Sequence, residues 1–474
     1  MKTPTPVGSD APGIVSGRLS EAHYRAQFSD SHPPLSATQA VIEAERCYYC
    51  FDAPCTRACP ADIDVPSFIH RIAQDNVRGA AEVILQANVL GGMCARVCPT
   101  ETLCEQRCVR HAQDGNPVKI GLLQRFATDS YLANPGKPLF MRAPDTGKRV
   151  AVVGAGPAGL TVAHRLAVCG HQVVVFDAQD KPGGLNEYGL AAYKTTGDFA
   201  QKEIAWLLSV GGIELRLGQR LGQSITLEGL RAEYDAVFLG MGLAGVNALE
   251  IASPPLAGVE DAVAFIAALR QAADMSEVAV GRQVVVIGGG MTAVDAAVQA
   301  KKLGAREVTI VYRRGEAQMS ASHKEVQWAQ HNGVLIRHWA VVQALHGEEG
   351  KLNAVTFAVM QPHEGALVAS GETFTLPADM VLMAIGQHYD PHPAGPLLAL
   401  KNGRLRVDDA GRTSLPGVWA GGDCCDGGLD LTVDAVRQGK LAAKSIELAL
   451  SVDGRVAAND TLSLSLTGQE RSHG

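Results

Sequence analysis

The chain lacks any long apolar run. No stretch of about 20 residues is free of charge, proline or several glycines, so no membrane-spanning helix is expected. It also lacks an excess of positive charge. Lys and Arg total 42 against 49 Asp and Glu, a net −7, with no long basic run, which argues against nucleic acid or an anionic membrane as partner. The polar start from Met1 to Ser20 lacks the apolar core of a signal peptide, so a cytoplasmic protein is expected. What the chain does have is cysteine: 11 in all, eight of them between Cys47 and Cys108. In a reducing compartment such clustering suggests a metal centre rather than disulfides.

The eight thiols fall in two runs. The first is Cys47-x2-Cys50-x4-Cys55-x3-Cys59-Pro60. The second is Cys94-x3-Cys98-Pro99 followed by Cys104-x3-Cys108. Thiolates this close in sequence converge on one or two centres, and a Cys-Pro pair is an iron–sulfur habit. Spacing alone does not name the metal, so zinc is the rival.

The 474 residues suffice for roughly three domains. Residues 1–35 read as a loose arm and 36–133 as a helical domain carrying the cysteines. From Val65 to Leu90, for instance, Ile69, Ile72, Val83, Ile84 and Leu85 recur at helical spacing. A Pro- and Gly-rich linker spans 134–148. Alternating strands and helices follow over 149–280, a second such unit over 281–394, and a return to the first unit over 395–450. The polar stretch 451–474 reads as a mobile tail.

Two glycine-rich loops each follow an apolar strand, an internal duplication of a dinucleotide-binding architecture. The first is Gly154-Ala155-Gly156-Pro157-Ala158-Gly159. Its glycines allow a tight turn and close backbone approach to a pyrophosphate, at the positive end of the following helix. The next strand ends at Asp177, placed to accept a ribose hydroxyl. Pro182-Gly183-Gly184-Leu185 and Gly417-Val-Trp-Ala-Gly-Gly422-Asp423 are typical of flavin-binding reductases with two dinucleotide domains, which allocates this loop to FAD. The second loop is Gly288-Gly289-Gly290-Met291-Thr292-Ala293. The strand after it ends in Arg313-Arg314 rather than in an acid. Arginine there suits the 2′-phosphate of NADP over NAD, and the bland alternative is two solvated arginines. Ala384-Ile385-Gly386 resembles the loop that returns near the nicotinamide, so the co-substrate is NAD(P)H.

With the cysteine runs joined to both loops, the chain resembles glutamate synthase small subunits and the N-terminal half of dihydropyrimidine dehydrogenase, from about Ala37 to Leu450. Cys94-Ala-Arg-Val-Cys98-Pro-Thr-Glu-x-Leu-Cys104, Ile120-Gly-x-Leu-Gln124-Arg-Phe-Ala-Thr and Phe238-Leu-Gly-Met-Gly-Leu243 lean toward the dehydrogenase. The resemblance implies an α/β protein with an N-terminal all-α iron–sulfur domain and two Rossmann-like domains, binding FAD and NAD(P). It implies two [4Fe–4S] clusters, one on Cys47, Cys50, Cys55 and Gln124, the other on Cys59, Cys98, Cys104 and Cys108, leaving Cys94 over. Two positions depart from the family. Ala191-Ala-Tyr-Lys194 replaces Pro-x-Phe-Arg, so a flavin contact by Lys194 would lack arginine's fork. Ser320 stands where a further basic residue holds the 2′-phosphate, which weakens the NADP reading.

The implied activity is that of an NAD(P)H-dependent FAD/iron–sulfur oxidoreductase. Hydride passes to FAD, electrons leave singly through the clusters, and no side chain serves as a covalent catalyst. An FMN- and iron–sulfur-containing catalytic partner in a hetero-oligomer would then reduce uracil or thymine. The alternatives are a glutamate synthase small subunit or an input subunit for another acceptor. A disulfide reductase needs a redox cysteine pair beside the flavin. Cys424-Cys425 is a poor one, since adjacent residues rarely form a relaxed disulfide. Those two and Cys169 read as buried structural thiols.

Overall fold

The computed structural model describes residues 19–249, 251 and 254–451. Residues 1–18 of the expected arm, and 452–474 of the expected tail, lie outside them.

The cysteine region is helical. Helices Ala37–Ala44, Val65–Ala73, Val77–Ala87, Gly91–Val97 and Ile120–Ala133 enclose Phe68, Ile69, Ile72, Ile84, Leu85 and Leu123. The apolar periodicity from Val65 to Leu90 is divided among separate helices, because Asp75 takes a left-handed conformation (φ +57°). The next helix then restarts under an Asn76 cap, whose Oδ1 accepts from the Gly79 amide at 2.9 Å.

The first nucleotide-binding region is a five-stranded parallel sheet in the order Val418–Ala420, Ala236–Leu239, Arg149–Val153, Gln172–Phe176, Ile213–Arg216. Runs such as Val-Ala-Val-Val are apolar throughout because helices cover both faces. Helix Pro157–Val168 follows the first loop and packs against the long helix Thr432–Leu450. Gly439 permits the approach: a Cβ there would stand 2.7 Å from the Ala158 carbonyl oxygen.

The second sheet is also parallel, in the order Val259–Asp261, Met380–Met383, Gln283–Ile287, Glu307–Val311, Leu335–Arg337. A three-stranded antiparallel meander, Ala340–Glu348, Lys351–His363 and Ala366–Pro377, lies in the chain between its last two strands. The chain crosses between the two regions twice, and the crossings pair antiparallel as Gly245–Val246 with Gln387–His388.

This corrects the expected boundaries at 280/281 and 394/395. The second region already owns Val259–Asp261 and helix Ala262–Gln271. The return is complete by Tyr389, which packs with Leu239 and Val418 of the first region. A three-residue edge strand carries no glycine loop to announce it.

Residues 19–35 are not loose either. Helix Glu21–Gln27 docks on the second region, with Tyr24 and Phe28 buried beside Leu303 and Val284. The Tyr24 hydroxyl donates to the Leu303 carbonyl at 3.1 Å. Further on, Asp30 pairs with Arg125 of the cysteine domain at 2.5 Å. Among the described residues no helix is long and apolar enough to cross a membrane.

Candidate functional site

A cavity of about 810 Å³ runs between the two sheets, from Gly154 and Asp177 to Met291, Thr292 and Gln387. Each loop is shaped by a steric demand. Gly154 has φ +102°, and a Cβ on it would fall 2.2 Å from the Gly240 carbonyl oxygen. A Cβ on Gly159 would fall 1.9 Å from the Gly154 carbonyl oxygen. Gly156 caps helix Pro157–Val168, whose first residues line the cavity and bring the positive end of the helix to it. Asp177 Oδ2 accepts from the Ala155 amide at 2.6 Å and Oδ1 from Gln179 at 2.8 Å. Burial nonetheless holds its carboxyl above the usual aspartate range.

Gly183 and Gly184 both have positive φ, and the Gly183 amide donates to the Ala155 carbonyl, so this turn lies on the first loop. Leu185 lines the cavity. At the other side, the Gly422 amide donates to Gln438 Oε1 at 2.9 Å. Burial, with Asp430 next, pushes Asp423 up to about 6. A half-buried carboxylate lining this cavity calls for a hydroxyl donor, such as a ribityl chain presents. Glycine cradle, helix end and Asp423 together fit FAD.

The second loop follows the same logic. Gly288 has φ +148°, and a Cβ there would meet the Ala384 carbonyl oxygen at 2.2 Å. A Cβ on Gly289 would strike the Tyr312 ring at 2.5 Å. Gly290 caps helix Met291–Lys302, where Ala293 is buried and Met291 and Thr292 face the cavity. Arg313 and Arg314 are exposed at the end of the neighbouring strand. Ser320 Oγ lies close to Gly290. The Ala384 amide donates to Ile287, the Ile385 carbonyl accepts from Asn247 Nδ2, and Gly386 has φ +97°. Both loops thus open on one space, as hydride transfer between two nucleotides requires.

Lys194 lines this cavity. Its ammonium is taken up by two carboxylates of the second region, Asp295 at 2.7 Å and Glu325 at 2.8 Å. Burial opposes the lysine's charge, yet Asp295 and Glu325 hold its pKa above the ordinary lysine value. Sequence reasoning missed both acids. The available signal was a carboxylate on the buried face of the loop helix, since buried charges are paired.

All 11 cysteines are free thiols. Electrostatic proximity sorts eight of them into two groups. Cys47 senses Cys108 and Cys50, and Cys55 senses Cys47 and Cys108. Cys59 senses Cys94, while Cys98 is hydrogen-bonded to Cys94 and senses Cys104 and Cys59. Cys104 senses Cys59 more than Cys55, where the groups adjoin. This proximity differs from the ligand sets implied by resemblance: Cys108 is a neighbour of Cys47 and Cys55. The reason is local stitching: Arg110, two residues past Cys108, donates to the Arg46 carbonyl, and Arg46 donates to Asn116 and Pro117. Gln124 lies beside the helix that bears Cys94 of the second group. It is buried and its Nε2 donates at 2.7 Å to the Gly91 carbonyl, on the helix bearing Cys94. Cys94 is thus not remote from the centres but beside Cys98.

The thiol surroundings fit iron–sulfur chemistry. Burial raises Cys47 and Cys59 above the ordinary thiol range and pushes Cys55 up to about 12. Thiolates persist in such sites only against a cationic centre. Backbone amides already point at sulfur, Tyr49 at Cys47 over 3.4 Å and Ile63 and Ala61 at Cys59, as hydrogen bonds to cluster ligands do. Cys98 also lines the cofactor cavity, so the second group abuts the flavin space.

Glu203, from helix Phe199–Leu208, was also missed. It is fully buried and accepts from the amides of Gly92 (2.7 Å) and Met93 (3.2 Å), at the start of the helix bearing Cys94 and preceding Cys98. Burial pushes it up to about 8 despite these donors. Of the remaining thiols, Cys424 and Cys425 are buried with sulfurs 4.0 Å apart, and Cys169 is partly exposed.

Residues 148–439 match the family Pyridine nucleotide-disulphide oxidoreductase. Residues 24–135 match Dihydropyrimidine dehydrogenase domain II, 4Fe-4S cluster. The chain is 36% identical to the NAD-dependent dihydropyrimidine dehydrogenase subunit PreT of Salmonella typhimurium, over 90% of this chain and 98% of that one. It is 33% identical to the glutamate synthase [NADPH] small chain of Escherichia coli, over 89% and 94%. Mycobacterium tuberculosis FprA in complex with NADPH shares the fold of the nucleotide-binding regions, with TM-score 0.54 and 19% identity over 65% of this chain and 85% of that one. These matches, over a fold that pairs two dinucleotide loops with a cysteine-rich helical domain, settle its kinship: the chain belongs to the pyridine nucleotide-disulphide oxidoreductase family, in the branch carrying a dihydropyrimidine dehydrogenase domain II iron–sulfur unit.

Proposed function

We propose that this chain is the electron-input subunit of a cytoplasmic dihydropyrimidine dehydrogenase. It would take electrons from NAD(P)H and pass them through FAD and two [4Fe–4S] centres to an FMN-containing partner that reduces uracil or thymine. The observation that carries this reading is the shared cavity: both nucleotide loops and Cys98 line one space. The likeness to PreT subunits over nearly their whole length supports the choice of pyrimidine as acceptor.

In this reading the first loop and Asp177 hold the adenosine half of FAD, Gly183, Gly184 and Leu185 bound the flavin, and Asp423 binds its ribityl chain. The second loop, with Arg313 and Arg314 at its rim, receives the nicotinamide nucleotide. The bound flavin supplies the conversion of a two-electron donor to single-electron transfer. The protein's own contribution is positioning. Lys194, Asp295 and Glu325 lock the two regions in one relative placement, and the paired strands at 245–246 and 387–388 brace the crossings. Cys47, Cys50, Cys55 and Cys108 hold the outer centre. Cys59, Cys98 and Cys104 hold the inner one, with Gln124 or Cys94 completing it. Tyr48 and Phe51 stand exposed in the first cysteine run, where the outer centre would meet the partner of a hetero-oligomer.

A glutamate synthase small subunit is the second reading, since that relative is matched over 94% of its length. Anaerobic reconstitution separates the two. The chain is combined with an FMN-containing dihydropyrimidine dehydrogenase partner and supplied with NADH or NADPH. Dihydrouracil formed only when both proteins are present supports the proposal. Bleaching of the flavin with uracil untouched would remove the pyrimidine assignment and leave the redox core standing.

A further inference from the structure

The helix Thr432–Leu450 carries a cation into the cysteine domain. Lys440 Nζ donates to the Ala61 carbonyl at 2.9 Å, a contact between residues 379 apart in sequence. Ala61 follows Cys59 by two residues, inside the turn that the Asp62 amide closes on the Cys59 carbonyl at 3.0 Å. Through this one residue the chain has anchored an ammonium beside a cysteine of the inner group. The placement is set by packing: Gly439 presses the helix onto Ala158, within the FAD loop. Lys440 thus stands on the element that joins the flavin site to the inner group.

Burial and then Arg165 disfavour the protonated form of Lys440, Asp62 and Cys59 favour it, and the net pKa falls to about 8. Arg165 is committed elsewhere, donating to the Gln86 carbonyl. An ammonium kept in a partly buried site at this cost has more effect on a neighbouring charge than one in water.

We infer that Lys440 is a positioning residue for electron transfer, whose charge beside Cys59 stabilises the reduced inner iron–sulfur centre and so favours its uptake of an electron from the flavin. The inference rests on the iron–sulfur reading of the cysteine domain. In the step concerned, the reduced flavin loses one electron and the inner centre gains it, adding one negative charge beside Lys440. A fixed cation there raises that centre's potential. The outer centre, on Cys47, Cys50, Cys55 and Cys108, has Arg110 beside Cys47 as its own cation, which substitutions at Lys440 leave in place.

The test is an anaerobic potentiometric titration of the full chain with FAD and clusters loaded, followed by electron paramagnetic resonance. Wild type is compared with Lys440→Met, Lys440→Gln and Lys440→Arg. Methionine removes charge and hydrogen bond, glutamine keeps a donor for Ala61, and arginine keeps the charge. The expected result is a more negative potential for one centre alone in the Met and Gln variants, with the other centre and the flavin unmoved, and recovery in the Arg variant. If Lys440→Met loses its clusters, Lys440→Gln carries the test. Unchanged potentials in a charge-free variant that retains both centres would overturn the inference, as would equal shifts of both centres. Wild type devoid of any iron–sulfur signal would instead defeat the reading beneath it.

Discussion

Lys194 Nζ stands 2.7 Å from Asp295 Oδ1, with both side chains nearly inaccessible to solvent and each from a different nucleotide-binding region. Glu325 completes the arrangement, and Tyr193 donates to Asp295 at 3.2 Å. Removing the lysine leaves two buried carboxylates facing each other. Lys194→Met should lower stability by about 3–5 kcal/mol, read by denaturant unfolding of the full chain. A loss under about 1 kcal/mol, the size of an exposed pair, would show that the ion pair does not hold the regions together.

Glu203 introduces a pH dependence of definite sign. Its carboxyl is ordinary, near 4.5, in the unfolded chain and about 8 when folded. Between those values the folded state binds the extra proton, so stability falls as pH rises from 4.5 toward 8 and levels off above. The span is worth on the order of a few kcal/mol. Glu203→Gln keeps an acceptor oxygen for the Gly92 amide and removes the titration. Its unfolding free energy should fall less steeply than wild type over that window; parallel curves would contradict the assignment.

The regrouped cysteines make a prediction that the set implied by resemblance does not. Cys108→Ser and Cys47→Ser should lose the same paramagnetic signal, and Cys98→Ser the other one. Substitution at Gln124 should disturb the signal that depends on Cys98, not the one that depends on Cys47. If Cys108→Ser and Cys98→Ser abolish the same signal, Cys108 serves the inner centre and the regrouping is wrong.

Arg313 and Arg314 are exposed and stand outside the buried core. Replacing both with Ala should leave NADH oxidation within about twofold and raise the KM for NADPH by about tenfold or more, the size of a lost charged hydrogen bond. Steady-state flavin reduction with each nucleotide decides it. Equal effects on both would mean that the pair does not read a 2′-phosphate.

Much of this was legible in the sequence because it is local chemistry. Gly154 and Gly288 take positive φ in turns a few residues long, and Gly422-Asp423 belong to one short loop, although the carbonyls that crowd Gly154 and Gly288 come from distant strands. The crossings were misplaced because Val259–Asp261 is a three-residue edge strand whose partner, Met380–Met383, lies more than a hundred residues on. The arm was misread because Tyr24 and Phe28 reveal an apolar face only against the helix ending near Leu303.

The sequence by itself determined which chemistries are present: eight thiols within 62 residues, counted from Cys47 to Cys108, and two loops that tolerate only the smallest residues. Those features follow from composition and from backbone sterics over short spans. Tertiary structure alone decided which thiols are neighbours, that Lys194 meets Asp295 and Glu325, that Glu203 caps a helix of another domain, and that Lys440 reaches Ala61. Each is a contact between residues distant in sequence, and its energy comes from burial and pairing, which no local spacing encodes.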